Sequence, residues 1–238
     1  MKKVFDGFAL AFSMLSIIPF FKVHHFFKGI NGFSVMFYPL VGFIIGITLW
    51  GFYTLLTPFM PQTHLLVLMF GLWVLLSGAL HLDGFADTVD GFFVPKQKAL
   101  EVMKDSHVGG MGMIFSVLFL IVKLSSFLAL HNPFSVIAIM SFSRFYVLGS
   151  IFLFPYVSRG VGALLKEELE LKHLFVSFVF SVSVAFYFNA LFVFFLGVFF
   201  SIALAFLLAK RLGGLNGDGY GFIIEISELF LLNILLFL

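Results

Sequence analysis

Long apolar runs dominate the pattern of hydrophobic and polar positions, and polar residues gather between them. The stretch 173–209 is long enough for two spans, with a turn near Asn189. A helix crosses a bilayer with about 20 residues. The pattern therefore predicts an all-α, polytopic membrane helical bundle with about seven transmembrane helices. The five other runs long enough to cross are 34–56, 65–81, 111–130, 134–154 and 222–238.

Residues 5–21 form an eighth apolar run, which contains Asp6 and ends near Pro19. We expect this run to lie in the membrane interface and not to cross. The chain starts like a signal peptide, but no small-residue cleavage site precedes Pro19, so we expect the segment to be retained. Little of the sequence remains outside the apolar runs. A single integral-membrane domain, 1–238, is therefore predicted.

The charged connections alternate with uncharged ones, which predicts an orientation. The segments near 57–64, 131–133 and 189 carry no charge. Because basic loops stay on the cytoplasmic side, the charged connections and the active site are expected there, and the C-terminus outside. Lysine or arginine occurs in the connections 22–33, 82–110, 155–172 and 210–221.

Composition narrows the function classes. The chain is 61% hydrophobic and 11% charged, with a mean hydropathy of +1.14, which excludes a soluble domain. It contains no cysteine, so a metal would have to bind oxygen or imidazole. The formal charge is +2 and no long basic run occurs, so no nucleic-acid partner is expected.

The segment from His81 to Gly91 carries the strongest chemical signal. Asp83, Asp87 and Asp90 stand at i, i+4 and i+7, which places three carboxylates on one helical face. A helix beginning near Leu65 would put them about 27–38 Å along its axis, at the cytoplasmic rim and near the helix C-terminus.

Two interpretations of this acidic face are open. It could be a solvated helix end, although acids there oppose the helix dipole. Alternatively, a hard divalent cation would remove the repulsion, and Mg²⁺ prefers oxygen ligands together with a phosphate substrate. We therefore predict a Mg²⁺ site at Asp83, Asp87 and Asp90, where the metal would bridge a pyrophosphate. Membrane prenyltransferases and lipid alcohol phosphotransferases use related arrangements.

Two further segments carry polar groups that could serve a site. Lys104 and His107 precede two glycines and could bind phosphate, although an ordinary helix start is the simpler interpretation. The glycine-rich segment 216–221 is either a turn or part of a site. Glu225 and Glu228 follow it one turn apart, and carboxylates in a membrane helix usually face a wet cavity or a partner.

Lys123 and Arg144 fall near the middle of predicted spans, where insertion of a basic side chain costs roughly 2.5–3.5 kcal/mol. The sequence shows no acid at the same depth. Either an acid of a neighbouring helix pairs with them, or they line a cytoplasm-open cavity and bind an anionic substrate.

Several motifs together resemble one known family. The segment His81-Leu82-Asp83-Gly84-Phe85-Ala86-Asp87-Thr88-Val89-Asp90-Gly91 is similar to the signature of cobalamin synthase, the adenosylcobinamide-GDP ribazoletransferase family. The resemblance covers essentially the whole chain, with departures at His107 and Asn216, where the family has arginine and threonine. It continues through Ser16–Pro19, Tyr38–Gly42, Met103–Ser106, Arg144, Ser158–Gly160, Gly217-Asp218, Glu225 and Glu228.

The resemblance implies a Mg²⁺-dependent enzyme of the bacterial inner membrane, embedded in lipid. It would join adenosylcobinamide-GDP to α-ribazole or its 5′-phosphate and release GMP, in the last steps of cobalamin biosynthesis. Asp105, Asp218, Glu225 or Glu228 would complete the metal shell or accept a proton, and Lys104, His107, Arg144 and Arg159 would meet phosphates. The oligomeric state stays open, and a homo-oligomer is compatible with the sequence.

Two other functions fit parts of the pattern. A phosphotransferase acting on a CDP-alcohol or an isoprenoid pyrophosphate is the nearer one, but the lipid alcohol family places Ala-Arg where this chain has Ala86-Asp87. A cation or vitamin transporter is disfavoured because transport sites lie near the membrane midplane.

Overall fold

The apolar runs fold into helices, as predicted. The structure, a computed structural model, describes residues 2–18, 23, 26–105, 107 and 109–237. Over this part of the chain it contains helices and a single isolated β-bridge, and the all-α prediction is confirmed. The predictions that involve Pro19, Lys22, Ser106 and the C-terminal Leu238 fall outside the described residues.

The helices are numbered here in chain order. A 3₁₀ turn, Pro133–Ser135, precedes α8. The α-helices are α1 (Lys2–Leu15), α2 (Ile30–Val35), α3 (Tyr38–Leu56), α4 (Gln62–Leu76), α5 (Leu80–Phe92), α6 (Lys96–Val102), α7 (Gly110–Leu128), α8 (Val136–Leu153), α9 (Val161–Glu168), α10 (Leu171–Tyr187), α11 (Leu191–Leu212) and α12 (Gly217–Ile234).

Four segments in the described part are long and apolar enough to cross a membrane: α3, α7, α8 with its 3₁₀ turn, and α11. Two bent pairs, α4 with α5 and α9 with α10, raise the number to six if each pair is one span. The chain is therefore a multi-pass membrane protein, while the number seven stays a prediction. The seventh predicted span is α12, which carries three carboxylates in its 18 residues.

The helix predicted over residues 65–81 ends earlier than predicted. It stops at Leu76, and the chain turns through Gly78 and Ala79, whose φ angles are 65° and 52°. Glycine adopts such angles freely, whereas an alanine there is uncommon. After the turn, α5 departs at 79° to α4. The acidic residues therefore belong to a separate helix and not to the far end of α4.

The other boundaries follow the sequence more closely. The predicted turn near Asn189 is present, with a φ of 53° at that residue, between α10 and α11. Helix α1 has 14 residues, about 21 Å, which is shorter than the hydrocarbon core of about 30 Å. It packs against α2 and α3.

Helices α8 and α12 form the centre of the bundle. Helix α8 packs against α3, α10, α11 and α12, and most of its residues are buried. Helix α12 also packs closely against α5. A membrane helix that is surrounded in this way can carry polar side chains, because protein groups replace lipid around them. These two helices therefore position the candidate site.

Contacts between the α5–α6 connection and the end of α11 lead to a prediction about topology. The Arg211 guanidinium donates to the carbonyl of Val94 at 2.5 Å, and Lys96 Nζ donates to the carbonyl of Lys210 at 2.9 Å. The segments 91–96 and 210–211 must therefore lie on the same side of the membrane. Because both are basic, we expect that side to be the cytoplasm.

The absence of cysteine provides a clean background for labelling. Single cysteines replacing Gln97 and Lys210 should resist a membrane-impermeant maleimide in intact cells and react after lysis. A cysteine replacing Thr63, at the start of α4, should react in intact cells. Labelling of all three from outside would contradict this orientation and would show that α4 and α5 form a re-entrant loop instead of a broken span.

Candidate active site

A close crossing of α5 and α12 creates the candidate site. A Cβ atom on Gly84 would lie 2.8 Å from the carbonyl oxygen of Asp218, and one on Gly221 would lie 3.0 Å from that of His81. Only residues without a side chain allow the two backbones to approach so closely. The glycines of the two motifs therefore bring Asp83 and Asp218, which are far apart in sequence, to the same place.

The carboxylates at this crossing repel one another. Asp87 feels the negative charges of Asp218, Asp83 and Asp90, and Asp218 feels that of Asp83. In the described part of the chain, the polar partner of this group is the neutral amide of Asn216, whose Nδ2 donates to Asp218 Oδ2 at 2.7 Å. No ion pair with Asp83, Asp87 or Asp218 occurs among the described residues. The cluster thus lacks a compensating positive charge.

The position of Asp83 within its helix corrects the sequence-based expectation. Because α5 begins at Leu80, Asp83 lies in the first turn and not near a helix C-terminus. Its carboxylate is therefore favoured by the helix dipole. Asp218 likewise lies in the first turn of α12. Two helix N-termini thus meet beside these carboxylates, and they offset part of the repulsion.

Asp90 has partners of a different kind. Its side chain is buried and accepts hydrogen bonds from the backbone N–H groups of Gly109, at 2.8 Å, and Gly112, at 2.7 Å. These groups belong to the start of α7, where the N–H groups have no partner within their own helix. The Asp90 carboxylate therefore joins the end of α5 to the beginning of α7.

The residues present can be compared with what Mg²⁺ requires. No group of three or more histidine, aspartate or glutamate side chains in the described ranges is arranged to hold a metal ion. However, Mg²⁺ keeps several waters and usually binds one or two carboxylates together with substrate phosphates. The uncompensated oxygen ligands of Asp83, Asp87 and Asp218 fit that requirement. A site shared by Asp83, Asp87 and Asp90 stays a prediction.

The turn before α12 fixes Asp218 and places Arg159 nearby. Asn216 caps the helix by accepting a hydrogen bond from the Gly219 N–H at 2.9 Å, a role that asparagine and threonine both perform. Leu215 pairs with the segment after α8, since its N–H donates to Pro155 O at 2.8 Å. The turn containing the exposed Arg159 follows directly. Arg159 thus lies near the start of α12, where it could meet a phosphate.

Asp105, His107 and Lys104 lie in a more exposed region. The ring and the backbone N–H of His107 contact Asp105 at 2.7 Å and 3.0 Å, and these hydrogen bonds lower the pKa of the Asp105 carboxyl. A lowered pKa makes Asp105 a weaker proton acceptor. Both residues line a cavity of about 600 Å³ beside Asp90, and Lys104 is exposed. The structure places this loop near the end of α5.

Four charged residues form a buried cluster in the bundle centre. Lys123 Nζ lies 2.5 Å from Oε2 of both Glu225 and Glu228. The Arg144 guanidinium bonds to Oε1 of Glu228, which also accepts from Ser143 Oγ at 3.2 Å. Acids of a neighbouring helix therefore lie at the depth of Lys123 and Arg144, which is the first of the two alternatives that the sequence left open. Two cations and two anions neutralise each other.

This pairing bears on three residues with predicted roles in the reaction. Arg144 is fully buried, and Glu225 and Glu228 are 6% and 0% exposed. Their ionic groups are each other's partners, so the structure first gives them a role in joining α7, α8 and α12. Catalysis by the glutamates and phosphate binding by Arg144 stay predictions, and the Glu228 substitution described below tests them.

A cavity between α1, α3, α5, α8, α9 and α12 combines Asp83 and Asp218 with side chains to which the sequence assigned no role. Its volume is about 330 Å³, and its lining includes Asp83, Asp218, His81, Tyr38 and Tyr220. His81 stood within the recognised motif, which was a usable signal. Tyr38 and Tyr220 also lay in sequence segments named above, but their convergence could not be predicted because it depends on how the helices pack.

Comparison with known proteins points to one family. A family model described as cobalamin-5-phosphate synthase matches residues 7–236. Proteins named adenosylcobinamide-GDP ribazoletransferase are similar to the chain. The one from Brevibacillus brevis is 36% identical over 214 residues, which is 85% of this chain and 86% of the relative. The one from Clostridium kluyveri is 31% identical over an alignment of 245 positions, which covers 96% of this chain and 95% of the relative. No solved structure matches.

Proposed function

Because the chain belongs to the cobalamin-5-phosphate synthase family, we propose that the crossing of α5 and α12 is the active site of an adenosylcobinamide-GDP ribazoletransferase. The enzyme joins adenosylcobinamide-GDP to α-ribazole. The observation that carries the site assignment is the meeting of Asp83, Asp87 and Asp218 without a positive partner among the described residues. The alternatives of a CDP-alcohol or isoprenoid phosphotransferase and of a transporter are set aside because of the family assignment.

The reaction exchanges one phosphoester partner for another. A hydroxyl oxygen of the acceptor ribose forms a bond to the phosphorus that carries the cobinamide. The bond from that phosphorus to the bridging oxygen breaks, and GMP leaves with the bonding electron pair. The hydroxyl proton must pass to a base, and Asp83 and Asp218 are the carboxylates that border the cavity.

Negative charge accumulates on the pyrophosphate as the bond breaks, and the site must neutralise it. One or two of the carboxylates of Asp83, Asp87 and Asp218 would hold Mg²⁺, which would supply Lewis-acid stabilisation of these phosphate oxygens. Arg159 would bind phosphate from the turn beside α12, and Lys104 from the α6–α7 loop. Asp90 would hold the end of α5 against the start of α7 through its two backbone hydrogen bonds.

The site assignment also leads to a proposal about location. The basic segments 91–96 and 210–211 contact each other and lie at the same end of the bundle as the C-terminus of α5. We place this end in the cytoplasm and the bundle in the bacterial inner membrane, surrounded by lipid. A nucleotide-activated donor would then reach the site directly from the compartment where nucleotides are made.

The purified protein should release GMP from adenosylcobinamide-GDP only when α-ribazole or its 5′-phosphate is present. We expect one cobalamin product per GMP, measured by chromatography of both species in detergent or liposomes. A CDP-alcohol with an added alcohol serves as the control and should yield no CMP. Release of GMP without a cobalamin product, or release of CMP, would contradict the proposal.

A further inference from the structure

A cavity extends from Asp83 and Asp218 into the bundle. Its volume of about 330 Å³ lies at the lower end of the range of roughly 300–1,000 Å³ that small-molecule sites occupy. Helices α1, α3, α8 and α9 complete its walls. The cavity thus opens beside the carboxylates of the proposed active site and continues away from them.

The walls of this cavity suit a flat aromatic group. Val147 and Ile151 of α8 and Ile224 of α12 supply aliphatic surface, and each is at most 2% exposed. The ring of Tyr220 also lines the cavity, with the ring of Tyr156 at 6.0 Å between centroids and an interplanar angle of 31°. Aromatic and aliphatic walls around a narrow space favour a planar, weakly polar ligand.

Two polar atoms in the lining lack partners within the described part of the chain. The hydroxyl of Tyr220 and the Nδ1 atom of His81 are buried, and neither has a hydrogen-bond partner among the described residues. Both side chains are at least nine-tenths buried, at 7% and 6% exposure. Since an unpartnered buried polar group is costly, these two atoms indicate that a ligand completes the site. Asp83 and Asp218, which also line the cavity, can accept hydrogen bonds from hydroxyl groups.

The two substrates differ strongly in size. Adenosylcobinamide-GDP contains a corrin ring, an adenosyl group and a guanine nucleotide, and it cannot enter a space of about 330 Å³. α-Ribazole is a single ribose joined to a dimethylated benzimidazole, a flat aromatic base. We infer that this cavity binds the acceptor, with its base between Val147, Ile151 and Tyr220 and its ribose toward Asp83 and Asp218. The inference rests on the proposed function.

A slightly larger side chain in the cavity wall tests this assignment without removing a polar group. Val147→Leu should crowd the methyl groups of the base, so the enzyme should lose activity with α-ribazole and keep it with unsubstituted benzimidazole riboside. We expect the ratio of the two kcat/KM values to fall about tenfold or more, as one methylene commonly achieves. The ratio does not depend on how much of the variant is folded.

The matched control is Val136→Leu, which makes the same change at a buried position of α8 outside the cavity. Its ratio should equal that of wild type. Val147→Ala enlarges the space, so it should raise kcat/KM for a naphthimidazole riboside relative to that for α-ribazole. This variant replaces the leucine variant as the test if the latter does not fold. Unchanged acceptor ratios in the Val147 variants would overturn the inference, whereas wild type that releases no GMP with any acceptor would refute the proposed function.

Discussion

Replacing Asp87 by asparagine is expected to lower kcat by about 10²–10³ while the protein still folds and inserts. The amide keeps the size of the side chain and removes its charge. Asp87 feels three neighbouring carboxylates, so the substitution relieves repulsion in the metal-free protein. In the described part of the chain, no donor is hydrogen-bonded to its carboxylate, so no structural bond is lost. The loss should therefore appear in turnover and not in stability.

The measurements are GMP release at saturating substrates and melting curves with and without Mg²⁺. Metal-free Asp87→Asn should melt no lower than metal-free wild type, and Mg²⁺ should stabilise wild type more. Asp90→Asn is the matched contrast, because it disturbs two backbone hydrogen bonds at the start of α7. It should cost about 0.5–2 kcal/mol of stability, as loss of a helix cap does. An Asp87→Asn protein that unfolds early but has normal turnover per folded molecule would show that Asp87 is structural.

Replacing Glu228 by glutamine should destabilise the protein severely. The carboxylate of Glu228 bonds to both Lys123 and Arg144, and it is fully buried. Without the charge of Glu228, the single carboxylate of Glu225 would have to compensate two buried cations. Removing one partner of a buried ion pair costs about 3–5 kcal/mol, because the other charge stays uncompensated. We expect low yield in the membrane and early unfolding in detergent.

A second substitution should repair the defect if charge balance is the cause. Glu228→Gln combined with Arg144→Met leaves Lys123 paired with Glu225, so the double variant should recover much of the stability. Glu167→Gln, at an exposed position of α9, is the control and should have little effect. If Glu228→Gln melted like wild type but lost activity, the glutamate would act in catalysis, as the family resemblance implied.

The acidic face of α5 could be predicted because it depends on local geometry. The spacing of Asp83, Asp87 and Asp90 requires only that the segment be helical, and it is. The different role of Asp90 could not be predicted, since its partners belong to another helix. Periodicity shows which residues share a face, but it does not show what stands opposite that face.

Two other features lay beyond the sequence for related reasons. The turn at Gly78 and Ala79 interrupts an apolar run, and hydropathy does not distinguish a straight span from a bent one. The ion cluster depends on the relative depth of helices, which residue counts fix only for straight spans. The sequence does contain equal numbers of basic and acidic residues in its predicted spans, two of each. That balance could have suggested Lys123 and Arg144 as partners of Glu225 and Glu228.

The ion cluster also has a consequence for how the protein is made. Lys123 and Arg144 leave the ribosome well before Glu225 and Glu228, so α7 and α8 enter the membrane with unneutralised charges. These helices can settle at their final depth only when α12 arrives. The same helix carries Asp218, so the arrival that neutralises the bundle also completes the carboxylate cluster. The charge balance of the bundle and the carboxylate cluster therefore both depend on the same late helix.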